Sequence, residues 1–363
     1  MKRSKIWSVA LVAMLSVAGV SAQTTQKLTA TKANEYGLIY SLPKTVLDIT
    51  IEAEKEVKKP GEYFKYAKKY LDSDNAIAQT SQQWTLKSIT VNVRAVADAD
   101  ERYLVQFKKG TTPYMYVNDQ NFPLAINTEK VYEVEAPVLP EAKVAEPTPL
   151  ETAAATQVIS QEMLQSQSSA KRAELAANQI YALRQSRTDL ITGQADQMPP
   201  DGQAMQLVLD NIAAQEAALT AMFMGTVQHS TDVKTFTIVP DSLGGESIVA
   251  RLSALNGIVD SDDLSGCPIY VNIEVAERGQ LPVNEATGLV KTFPKGGIAY
   301  RIPGKAKVAV EYDGQKVYDK TIDMAQYGVV FGIDPAMITN TKAPAYVVFD
   351  PLTGAIKELG TKQ

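Results

Sequence analysis

The stretch AELAANQIYALRQSRTDL, residues 173–190, decides how the rest of the chain is read. Ala173, Ala176, Ile180, Leu183, Arg187 and Leu190 recur at gaps of three and four, which puts all six on one stripe of a helix. A second run repeats the spacing with Met205, Leu209, Ile212, Glu216, Leu219 and Phe223. Between them lie Gly193 and then Pro199-Pro200-Asp201-Gly202, which stop one helix and start the next. The pattern predicts two long helices folded back on each other between about Thr156 and Gly225. Arg187 and Glu216 are charges on otherwise apolar stripes. Folding about the Pro-Pro turn brings Glu216 near Arg184, and Arg187 near Asp210. Arg184, Arg187, Asp210 and Glu216 are therefore candidates either for fixing the register of the pair or for a polar patch that faces a partner.

On both sides of this region the period changes to two. Leu47, Ile49, Ile51 and Ala53 alternate with Asp48, Thr50, Glu52 and Glu54, the pattern of a half-buried strand. Ile89, Val91, Val93 and Ala95 precede Asp98-Ala99-Asp100, and Tyr103, Val105 and Phe107 follow it, which predicts a hairpin. Pro60-Gly61 opens a short helix reaching about Leu71, with Tyr63, Tyr66 and Tyr70 on one face. Such rings either pack on a sheet or offer a stacking platform to a sugar, and Tyr114 and Tyr116 pose the same choice. Ala136 to Leu150 carries Pro137, Pro140, Pro147 and Pro149 and is expected to be an extended spacer. After the helices, Ile269, Val271, Ile273 and Val275 alternate with polar residues. Val308, Val310 and Tyr312 lead into Asp313-Gly314, a two-residue hairpin signal that sets Val317 opposite Val310. Tyr346 to Asp350 is a strand turned by Pro351 to Gly354, and Asp334 caps a helix starting at Pro335. The expected fold class is α+β, mostly β. A β-rich unit with one short helix spans 23–135, a Pro-rich linker 136–155, a helical hairpin 156–225 and a second β-rich unit 226–363. The long antiparallel hairpin joins two sandwich-like units.

Composition sets further bounds. The 363 residues exceed a single typical domain, and 45% of them are apolar, enough for a sizeable core. Lys2, Arg3 and Lys5, the short apolar run Ile6–Val20 and the small residues Val20-Ser21-Ala22 predict a secretory signal over Met1–Ala22. Without those three cations the 36 basic residues fall to 33 against 41 acidic ones, a net charge of −8 for the exported chain. An acidic chain without a basic block argues against nucleic acid as a partner. One cysteine, Cys267, and one histidine, His229, leave few metal or nucleophile schemes open. Asp260, Asp262 and Asp263 resemble a calcium loop only faintly, since Leu264 stands at a ligand position. No phosphate-binding glycine loop or nucleophile-elbow motif is present. The sequence therefore assigns no catalytic residue, no metal ligand and no cofactor. Paired carboxylates of a hydrolase would leave no mark in sequence.

Several segments together resemble a family of exported Bacteroidetes envelope proteins described as a domain of unknown function. They are Tyr40-Ser41-Leu42-Pro43-Lys44-Thr45, Pro60-Gly61-Glu62-Tyr63, Tyr66 to Leu71, Ile180 to Asp189, Pro200-Asp201-Gly202, Met222 to Gly225, Leu264 to Ile269 and Tyr300 to Lys305. The resemblance implies a periplasmic or cell-surface location and transfers no catalytic residue. The resulting expectation is a non-enzymatic, exported scaffold or adaptor, soluble after signal cleavage, that binds other envelope proteins. The alternatives are a glycan-binding protein using surface tyrosines and a carboxylate-dependent hydrolase.

Overall fold

One strand threads the molecule. In a computed structural model describing residues 24–28, 37–107, 113–152, 158–200 and 202–361, strand β2 runs unbroken from Leu38 to Lys59. Its 22 residues span about 70 Å at a strand's rise. The leader expected over Met1–Ala22 lies outside the described residues, as do Thr156 and Asp201. The alternation read from Leu47 to Glu54 is present, with Leu47, Ile49, Ile51 and Ala53 fully buried.

β2 lies inside the first of three antiparallel sheets. That sheet has the order β1 (Thr24–Lys27), β3 (Ser81–Gln106), β2, β6 (Thr226–Ile238). The second has the order β11 (Gln315–Ile333), β10 (Ile298–Tyr312), β9 (Cys267–Glu277), β7 (Gly245–Ser253), β8 (Gly257–Val259). The third has the order β13 (Ile356–Thr361), β12 (Ala345–Phe349), β5 (Pro123–Ile126), β4 (Met115–Val117). The protein is thus mostly β, as expected. The expectation of one strand unit on each side of the helices is corrected. β6 follows the helices yet pairs with β2 along its whole length, and β12 pairs with β5.

Three cores follow from this arrangement. The inner face of β2 packs on the second sheet through Val271, Val308, Val310 and Met324. The beginning of β2 contributes Tyr40 and Leu42 to a core with Ile298, Ile333, Val347 and Phe349. Its end delivers Tyr63 and Ala67 to a helical core. There Ala173, Ala176, Ile180, Leu219 and Phe223 come from helices α4 (Ser169–Thr192) and α5 (Gly202–Met224), preceded by α1 (Ala67–Leu71), α2 (Pro149–Thr152) and α3 (Gln161–Gln165). Ser168 caps α4 by accepting from the Lys171 N–H, so α3 and α4 are separate helices. At the other end Gly193 takes the left-handed conformation expected of a helix stop.

Local departures have local causes. No hairpin forms at Asp98–Asp100, because β3 continues along β2. The register jumps from Ser41 opposite Arg102 to Pro43 opposite Ala97, so residues 98–101 bulge out. The bulge lets Asp98 reach the buried Arg301. The Asp313-Gly314 turn forms, both residues with positive φ, but a bulge beside it sets Tyr318, not Val317, opposite Val310. The Pro-rich segment is extended, and it is also anchored on β6. The Thr231 N–H donates to the Lys143 carbonyl at 2.8 Å, and the Thr231 hydroxyl accepts from the Lys143 N–H at 2.8 Å. Asp334 caps α6 (Pro335–Ile338) through the Ala336 N–H, as the sequence predicts.

Two tests address this frame. A Cβ on Gly61 would stand 2.3 Å from the Met222 carbonyl oxygen. Gly61→Ala is expected to destabilise by about 1–3 kcal/mol in urea unfolding. Gly202→Ala, which meets nothing within 4 Å, is expected to cause no loss. The second test concerns Asp48, which ties three strands together. Arg94 of β3 donates to it from Nε at 2.7 Å, and Thr237 of β6 donates at 2.6 Å. The Arg94 hydrogen bond holds its carboxyl below the usual carboxylate range, against the opposing effect of burial. A depressed folded-state pKa stabilises above the unfolded value of about 3.9 and is lost as pH falls through the folded one. Unfolding free energy should therefore decline below about pH 4. The decline should be shallower in Arg94→Met.

Candidate functional site

The four charges singled out on the helices are brought together only in part. Glu216 of α5 receives Arg184 at 2.7 Å (Nε to Oε1) and Arg187 at 3.4 Å (Nη1 to Oε2), both from α4. The Glu216 side chain is only 16% exposed, whereas both arginines are about half exposed. Asp210 takes no part and instead accepts from Gln206 one turn away at 2.7 Å. The expected Arg187–Asp210 proximity gives way to a carboxylate shared by two guanidinium groups. The spacing explains this, since Arg184 and Arg187 differ by three and lie on the same face. Beside the trio, Ala213, Ala217, Thr220 and Met224 line a shallow hollow of about 470 Å³.

Most of the tyrosines considered for stacking are already in use. Tyr63 is buried against Phe223, with ring centroids 5.6 Å apart. Tyr66 and Tyr70 pack at the edge of the helical core, and the exposed Tyr181 donates its hydroxyl to the Tyr70 carbonyl. Tyr114 and Tyr116 are exposed, but their rings meet edge to face at 86°, so they do not form one flat platform. His229 sits on β6 with Nδ1 3.6 Å from Glu54, while Cys267 begins β9 in the second sheet. The Asp263 carboxylate accepts from the Ser265 N–H, closing its own turn. Among the described residues no group of three or more His, Cys, Asp or Glu side chains is placed to hold a metal ion.

A buried polar constellation joins the first and second sheets. Arg301 of β10 is buried, pairs with Asp98, and donates to the Ala325 carbonyl at 3.2 Å. Nearby, the Thr45 hydroxyl accepts from the Ala325 N–H at 2.9 Å, and Gln326 bonds the Thr45 backbone at both its N–H and its carbonyl. These are interlocking contacts between β2 and the β10–β11 hairpin.

Sequence reading missed a cleft of about 770 Å³. Residues 282–294 form one wall as a short arm closed by a Val283–Val290 bridge. Tyr300, Phe331, α6 and β13 form the rest. The arm has no strand or helix period. Its one legible signal is the turn Asn284 to Gly288 between Val283 and Leu289-Val290, with the Asn284 carbonyl accepting from the Gly288 N–H at 2.8 Å.

These features define a mostly β protein of three antiparallel sheets that carries a pair of packed helices crossed by a shared-carboxylate bridge. The chain belongs to the family described as Domain of unknown function (DUF4831), whose model matches residues 36–357. No curated protein and no solved structure matches it.

Removing the shared carboxylate should leave two arginines side by side on α4 without their common partner. Glu216→Ala is expected to cost about 1 kcal/mol in urea unfolding, a modest figure because the arginines are half solvated. Asp210→Ala should change stability by less than about 0.5 kcal/mol.

Proposed function

We propose that the protein is a non-enzymatic, exported envelope scaffold or adaptor, and that α4 and α5 form a hairpin arm through which it docks on another envelope protein. One observation carries this reading. The buried residues of the two helices cluster near the body, from Ala173 to Ile180 and from Ala218 to Phe223, with Leu190 the one exception. Beyond that base the helices have each other as their packing surface. Ile191, Leu207 and Val208 are exposed along this outer half. A helix pair that extends past its core gains nothing for the fold from those apolar side chains. A partner would gain from them through helix-face recognition. The Glu216 bridge supports the same reading, because it holds the register of the pair where the body no longer does. The acidic composition and the predicted leader fit a soluble protein working outside the cytoplasm.

Crosslinking and affinity recovery from the envelope fraction of the native organism tests the proposal. The full mature chain is expected to bring down one stoichiometric envelope protein. A Leu207→Asp/Val208→Asp variant, changed only at exposed positions, should lose that partner while melting as the parent does. Recovery of no stoichiometric protein, or equal recovery by the variant, would remove the arm from the account.

A further inference from the structure

The 770 Å³ cleft lies within the size range of small-ligand sites. Its walls are largely apolar. Leu289 and Val290 of the arm face Tyr300 and Phe331, with Met337 and Leu359 at the rim. Leu289, Val290, Met337 and Leu359 are all substantially exposed, so the fold has assembled apolar surface around this space without filling it. The arm is fixed at its base, where the Phe293 ring meets Phe331 edge to face and Gly332 leaves it room. A Cβ on Gly332 would fall 2.9 Å from that ring.

The two charged residues of the cleft, Lys291 and Asp334, differ in what they already bind. Asp334 Oδ1 accepts from the Ala336 N–H at 2.9 Å as a helix cap, which turns that oxygen toward its own helix. Lys291 and Tyr300 line the same cavity, and neither the ammonium nor the hydroxyl makes a hydrogen bond or ion pair among the described residues. Burial alone raises the Tyr300 phenol above its ordinary value, which keeps it a donor at neutral pH. Two uncommitted donors beside apolar walls call for a ligand with an apolar body and an oxygen acceptor bearing negative charge.

We propose that this cleft binds a small amphiphilic carboxylate, its unbranched acyl chain against Leu289, Val290, Phe331 and Leu359 and its carboxylate between Lys291 and Tyr300. An extended peptide is the competing occupant, because β13 pairs with β12 on one side only. A peptide added to a strand edge supplies donors and acceptors in equal number. A neutral peptide would leave the Lys291 ammonium without a counter-charge, which favours the acid.

Titration calorimetry on the mature chain with decanoate, below its micelle-forming concentration, tests this. Saturable one-to-one binding is expected, with butyrate and 1-decanol each at least about tenfold weaker, since each lacks one of the two features recognised. Lys291→Met should weaken decanoate about tenfold and Tyr300→Phe several-fold. Leu289→Asp, at a 68% exposed position, should abolish binding without altering the melting temperature. Absence of saturable binding, equal affinity for 1-decanol, or unchanged affinity in Lys291→Met would overturn the proposal. So would binding by a blocked hexapeptide of alternating valine and threonine with decanoate silent, which would assign the cleft to strand addition.

Discussion

A buried strand must have its backbone groups paired on both edges, and β2 meets that requirement with partners from distant parts of the chain. β3 covers one edge and β6 the other, from Leu47–Ile238 to Lys59–Thr226. Because β6 comes after the helices, the chain that leaves the end of β2 at Pro60 has to be back beside that same end at Thr226. The return is close fitting. Gly225, at φ 84°, would place a Cβ 2.4 Å from the Lys59 carbonyl, and the Tyr63 N–H donates to the Met222 carbonyl at 2.7 Å. Glycine is required at this point because two backbone segments touch there.

The same demand shapes the β10–β11 hairpin, which serves two cores by bending once. Its register shifts between Ile302 and Gly304. At the bend Gly304 lies against the Tyr327 and Glu277 carbonyls, and Gly328 against that of Ile302. On one side of it Val308 and Val310 face the inner side of β2, and on the other Ile298 and Ile333 join the core that contains Tyr40. The Tyr40 hydroxyl accepts from the Ala299 N–H at 2.8 Å, and Arg301 holds Asp98. Polar contacts therefore fix where the bend sits while apolar contacts provide the bulk of the burial.

Period and turn chemistry made the separate elements legible. The stripe from Ala173 to Leu190, the alternation from Leu47 to Ala53, the Asp334 cap and the Asp313-Gly314 turn are each determined by residues close together in sequence. What could not be read is what depends on neighbours far along the chain. Nothing near Thr226 indicates that β6 will lie beside β2. Nothing near Asp98 announces Arg301, so Asp98-Ala99-Asp100 resembles a turn when it is a bulge. The Arg184–Glu216 contact was legible because a helical pair has one simple geometry. The second arginine was misassigned to Asp210 because opposing a pair of stripes does not say which carboxylate will be covered. The cleft was missed because its walls come from an arm, two sheets and a short helix.

Lys59 and Thr226 sit side by side where the chain leaves β2 and returns in β6, as neighbours in an antiparallel ladder. Moving those two residues apart would open the ladder pair by pair from that end, a peeling motion that breaks its hydrogen bonds in sequence and not all at once.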